Sequence, residues 1–147
     1  MIRYFSTYTF LSDLQKLEKK PKNNYHQVRK DICTVYQDLD DIFEIIKQGT
    51  IIKAANDEDK KILLKSRFPN SAMREGKSGG FRAISIADIE KGDCYFLTVY
   101  PKKGKLGQPD LSEQAYVAIL TEFIEQVEEG SLIELDIEND LQVADAE

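Results

Sequence analysis

No tryptophan, one histidine and two cysteines occur in this 147-residue chain, and each scarcity closes a route to function. A lone histidine, His26, cannot provide both the acid and the base of a two-histidine nuclease. Cys33 and Cys94 lie far apart, without C-x-x-C or Cys/His ligand spacing, so they read as free buried thiols in a reducing compartment. Asp38, Asp40 and Asp41 read as the solvated side of a helix, and no other carboxylate, histidine or thiol pattern calls for a metal. Neither a metal nor a cofactor is expected. No run of about 18 apolar residues is present, and the opening MIRYFSTYTF lacks the apolar stretch and cleavage site of a signal peptide. The expectation is a cytoplasmic protein with no membrane partner. Positive charge is missing from one region altogether: residues 122–147 carry ten acidic residues and no basic ones.

What is present suffices for one domain. At 41% apolar residues the chain can build a core without disulfides or metals. The net charge is −6, yet residues 60–105 hold 11 basic against 4 acidic residues. A basic middle beside an acidic end keeps a nucleic-acid partner open.

Phe10, Leu11, Leu14 and Leu17 fall at helical spacing until Pro21, with Ser12 or Thr9 as cap candidates. After Asn23-Asn24, the residues Val28, Ile32, Val35, Leu39, Ile42 and Ile46 keep a helical period as far as Gly49, which predicts one long second helix and a two-helix hairpin. From Lys60 the rhythm changes. KKILLKSRF, FRAISIADI and CYFLTVY read as strands of an antiparallel meander, the last two joined by the turn EKGD. Ser112 then caps a third helix that Gly130 stops. The predicted fold is α+β: two N-terminal helices packed on a roughly four-stranded antiparallel sheet, with a C-terminal helix. Residues 1–130 form this domain. Residues 131–147 are an acidic C-terminal tail, expected to give a short strand and then fray. Its stretch 134–147 is a candidate shield for the basic face.

The loop REGKSGGFRAIS contains Gly76-Lys77-Ser78, the end of a nucleotide-binding P-loop. The first glycine of that motif is missing, since position 71 is Ser71, and a strand rather than a helix follows. A nucleotide cradle is therefore disfavoured. Instead Lys65, Arg67, Lys77, Arg82 and Lys102, with Lys103 and Lys105 nearby, make a phosphate-binding inventory at strand ends.

The ordered set Lys65-Ser66-Arg67, Gly76-Lys77-Ser78-Gly79-Gly80-Phe81-Arg82, Tyr100-Pro101-Lys102-Lys103-Gly104-Lys105 and Leu111-Ser112-Glu113 resembles the RelE superfamily of toxins from type II toxin-antitoxin systems, above all its HigB-like branch. The likeness spans about residues 60–123. The insertion LGQPD after Lys105 and the linker GTIIKAANDEDKK depart from it. The resemblance implies an mRNA interferase, a metal-independent endoribonuclease that cuts messenger RNA on the ribosome and inhibits translation, restrained by a cognate antitoxin. It implies Lys65, Arg67, Arg82 and Lys102 as catalytic residues, with Lys77, Tyr100, Lys103 and Lys105 binding RNA. Attack of a ribose 2′-hydroxyl on the adjacent phosphate needs a base, cations for the phosphorane and a donor for the leaving 5′-oxygen. The alternative is a non-catalytic relative that acts by binding, as a ParE-like gyrase inhibitor or an RNA-binding module.

Overall fold

The computed structural model describes residues 1–54 and 60–144. The chain runs β1 (Arg3–Ser6), α1 (Tyr8–Glu18), α2 (Val28–Tyr36), α3 (Ile42–Gln48), β2 (Gly49–Lys53), β3 (Lys61–Phe68), β4 (Phe81–Asp88), β5 (Asp93–Pro101), α4 (Glu113–Glu129), β6 (Ile133–Asp136) and β7 (Gln142–Val143). The seven strands form one sheet in the order β2-β3-β4-β5-β1-β6-β7. The fold is α+β, as expected, and the meander β3-β4-β5 is antiparallel throughout. The sheet is larger than four strands and mixed, because β1 pairs with β5 in parallel, Arg3 opposite Asp93 and Ser6 opposite Phe96.

Alternation along the strands sorts side chains onto two covered faces. Tyr4, Leu64, Phe68, Phe81, Ala83 and Phe96 meet Phe10, Leu14, Val28, Ile32 and Ile45 from α1, α2 and α3. Phe96 stacks on Phe10 at 4.7 Å, and Tyr36 meets Phe68 edge-on at 5.1 Å. On the opposite face Leu63, Ile84, Ile86, Tyr95 and Leu97 meet Ile119 and Phe123 of α4. Every residue of β4 and of β5 is buried, which explains why these strands read as nearly continuous apolar runs.

The long second helix is two helices. Leu39 and the aspartates around it interrupt it: short polar side chains offer the backbone competing hydrogen bonds, and the Asp41 carboxylate accepts from the N–H of Glu44 as the N-cap of α3. Apolar spacing survived the break because both helices lie on the same sheet face. The cap of α1 is Thr7, earlier than Ser12 or Thr9, because the helix starts directly out of β1. Ser112 and Gly130 bound α4 as predicted, Gly130 at φ +67°. The glycine of the EKGD turn, Gly92, has φ +74°.

The expected tail is built in. β6 pairs with β1, Leu135 and Leu141 are buried, and Arg29 donates to the Leu141 carbonyl at 2.9 Å. Glu134 pairs with Arg3 at 2.9 Å. Between this end of the sheet and β3 stand β1, β5 and β4, so residues 133–143 do not fold back over the basic face. The last three positions of the proposed shield lie outside the described residues, as do positions 55–59 of the linker.

Candidate nucleic-acid interface

Register builds the site. Arg67 of β3 lies opposite Arg82 of β4, and Arg82 lies opposite Tyr100 of β5, so three strands contribute one row of side chains on the α4 face. Lys65 precedes Arg67 by two positions and shares that face; Lys102 follows Tyr100 by two as β5 gives way to a loop. The row lies where β3 and β5 leave the sheet.

The four cations differ in their freedom. Arg67 is exposed and has no ion pair or hydrogen bond to its side chain among the described residues. Lys102 is also exposed. Arg82 is 5% exposed, and its guanidinium donates to the carbonyls of Lys77 at 3.0 Å and Ser78 at 2.7 Å. Burial and the neighbouring Arg67 charge lower its pKa, although a guanidinium stays protonated. Lys65 is deep-set, its side chain 14% exposed, with its ammonium 2.9 Å from an Asp110 carboxylate oxygen.

The loop between β3 and β4 settles the P-loop question: Phe81 opens a strand, so no helix N-terminus faces Gly76-Lys77-Ser78. Asn70 organises this loop. Its backbone pairs both ways with Glu75, its side chain accepts from Met73 N–H and donates to the Asn24 carbonyl, and Asp31 takes the N–H of Ser71. Neither Gly79 nor Gly80 has a positive φ. What Gly80 permits is close approach to its own chain: a β-carbon there would stand 2.7 Å from the Asn70 nitrogen and 2.8 Å from the Pro69 carbonyl carbon. The Gly80 carbonyl in turn accepts from the N–H of Lys102 at 2.9 Å. Gly80 thus welds the exits of the strands that carry the row.

The remaining sequence candidates scatter around this core. Lys77 reaches Gln48 at 3.3 Å, Lys103 faces Glu75 at 3.5 Å, and Lys105 is exposed in the loop. Tyr100 is 2% exposed and packs in the α4-side core, so its ring is not open to stacking on a base. That hydroxyl is buried without a hydrogen-bond partner among the described residues. Burial, with Tyr116 and Asp110 nearby, pushes its pKa up to about 12. It remains a neutral donor at physiological pH.

Asp110 escaped the sequence reasoning. It sits in the inserted LGQPD segment, 68% exposed, and the bond to Lys65 holds its carboxyl below the usual range, helped by the charges of Lys102 and Arg82. Only the insertion itself marked the spot. His26 is exposed just before α2 and is not part of the row.

No protein-family model matches the chain, and neither a curated protein nor a solved structure does so. Among the described residues no helix is long and apolar enough to cross a membrane.

Proposed function

We propose that the chain is the toxin of a type II toxin-antitoxin pair, a metal-independent endoribonuclease that cleaves messenger RNA on the ribosome in the cytoplasm and is restrained by a cognate antitoxin. The observation that carries this reading is the row Arg67, Arg82 and Tyr100 across three adjacent strands, with Lys65 on the same face of β3 and Lys102 just past the end of β5. Arg67 and Lys102 are free to take a phosphate. Arg82, from beneath, fixes the loop and adds its charge to the phosphorane. Tyr100 supplies a proton donor in a low-dielectric setting, where a hydrogen bond to developing charge is strengthened. Such a set has weak intrinsic chemistry, and alignment of the RNA by the ribosome supplies the rest.

The test is the purified chain in a translating extract with mRNA length as readout. Wild type shortens the message, and Arg67→Ala, which removes no hydrogen bond or ion pair among the described residues, slows this about a hundredfold. Intact mRNA at every protein concentration ends the nuclease reading. A second reading, RNA binding without cleavage, draws on the fact that Lys65 and Arg82 already have partners inside the chain. Salt-dependent retention of RNA with no shortening supports it.

A further inference from the structure

The cationic row carries its own anion. The loop after β5 is pinned in its first half: the Tyr25 hydroxyl donates to the Lys103 carbonyl at 2.8 Å and accepts from the N–H of Leu106 at 3.0 Å, and the N–H of Gln108 returns to the Pro101 carbonyl at 2.9 Å. Beyond Gln108 side-chain contacts of Asp110 and Leu111 hold the strap among the described residues. Leu111 packs against the core group that includes Tyr100, and the Asp110 carboxylate sits on Lys65.

We propose that residues 109–111 are a displaceable plug, in which the Asp110 carboxylate occupies the seat of an RNA phosphodiester on Lys65 and an incoming RNA backbone exchanges its phosphate for it. The proposal rests on the nucleic-acid reading above and assigns the anion subsite within it.

Three observations point the same way. The Lys65 side chain is largely buried while its partner is largely exposed, so the fixed half of this pair belongs to the sheet and the movable half to the loop. The same carboxylate feels Lys102 and Arg82, the cations on which a phosphate would draw. Its charge also reaches the Tyr100 hydroxyl, a buried donor without an acceptor among the described residues. A carboxylate and a phosphodiester each present two anionic oxygens to a cation. Exchange of one for the other leaves Lys65 paired at both ends of the process, so its deep-set side chain is never left without an anion.

The experiment measures equilibrium affinity of the full chain for two probes, a short RNA with methylated 2′-hydroxyls, which cannot be cut, and inorganic pyrophosphate. Asp110→Asn binds both about fivefold more tightly than wild type, the size expected when one exposed competing ion pair is removed. Glu90→Gln removes the same charge at an exposed turn at the opposite end of β4 and moves neither affinity by more than about twofold. Adding Lys65→Ala to Asp110→Asn cancels the gain. Equal gains from Asp110→Asn and Glu90→Gln, weaker binding in Asp110→Asn, or no binding of either probe by either protein overturns the plug. RNA binding that is indifferent to Asp110→Asn overturns the plug and leaves the RNA reading standing. A gain for pyrophosphate with no RNA binding overturns the RNA phosphodiester as occupant, and the RNA reading with it, while leaving Asp110 as the competitor for an anion on Lys65.

Discussion

Gly80→Ala is the sharpest stability test of this architecture, because its neighbour is an internal control. At Gly80 the added methyl runs into the Phe68 carbonyl oxygen, the Asn70 nitrogen at 2.7 Å and the Pro69 carbonyl carbon at 2.8 Å. All three are backbone atoms in the exit of β3, so relief requires moving that strand end or the start of β4. Overpacking of this kind costs about 3 kcal/mol. With an unfolding entropy of about 2 cal/mol/K per residue, a chain of this length loses about 10 °C in Tm. At Gly79 the methyl meets the ends of two flexible side chains, the Glu75 carboxylate at 2.5 Å and Lys103 Cε at 3.2 Å, which can swing aside. Gly79→Ala therefore stays within about 0.5 kcal/mol of wild type. Both glycines lack a positive φ, so backbone strain does not blur the comparison. Thermal unfolding followed by circular dichroism reads both variants. A Gly80→Ala protein that melts within about 2 °C of wild type, or two variants that fall equally, refutes the close-approach argument. Because the Gly80 carbonyl holds the N–H of Lys102, RNA affinity should fall in Gly80→Ala and hold in Gly79→Ala.

Tyr100→Phe removes a buried hydroxyl that has no partner among the described residues, so thermal stability is unchanged or rises while cleavage of RNA falls; a variant that loses stability and keeps activity contradicts the donor role. Arg82→Lys keeps the charge but cannot span the carbonyls of Lys77 and Ser78, so the 69–80 loop loosens, seen as faster hydrogen exchange of the loop amides; unchanged exchange argues against the brace. The Asp13 carboxyl accepts from Thr98 and from the N–H of Val99, yet burial raises its pKa above the ordinary 3.8. The folded state thus holds that proton more tightly than the unfolded one, and this contribution is complete below about 3.8 and lost as pH rises through the folded value. Asp13→Asn should gain most over wild type at neutral pH, with the gap in melting temperature closing on acidification; a gap independent of pH refutes the assignment.

The parts that were legible in the sequence are those written locally. β3, β4 and β5 show apolar runs bounded by turn residues, and Ser112 and Gly130 announce both ends of α4. Lys65 and Arg67 share a face by parity alone. The parts that were not legible depend on distant partners. Arg3–Ser6 is too short for a pattern, and becomes a strand because positions 93–96 and 133–135 flank it. The break near Leu39 hides inside an apolar period that both helices obey. The direction of Arg82 is not written in its neighbours in the sequence, because its burial depends on where the Lys77 and Ser78 carbonyls lie. Nothing about an aspartate in a loop foretells that it reaches a lysine 45 residues earlier.

The position of β1 also bears on the order in which the molecule assembles. The meander that carries Arg67, Arg82 and Tyr100 joins strands adjacent in the chain, contacts that close early because little loop entropy opposes them. β1 must wait for partners some 90 and 130 residues away in sequence. The cationic row therefore belongs to the fast-forming half of the sheet, and docking of the first strand, with the β6–β7 edge behind it, is the late event that locks a geometry already laid down.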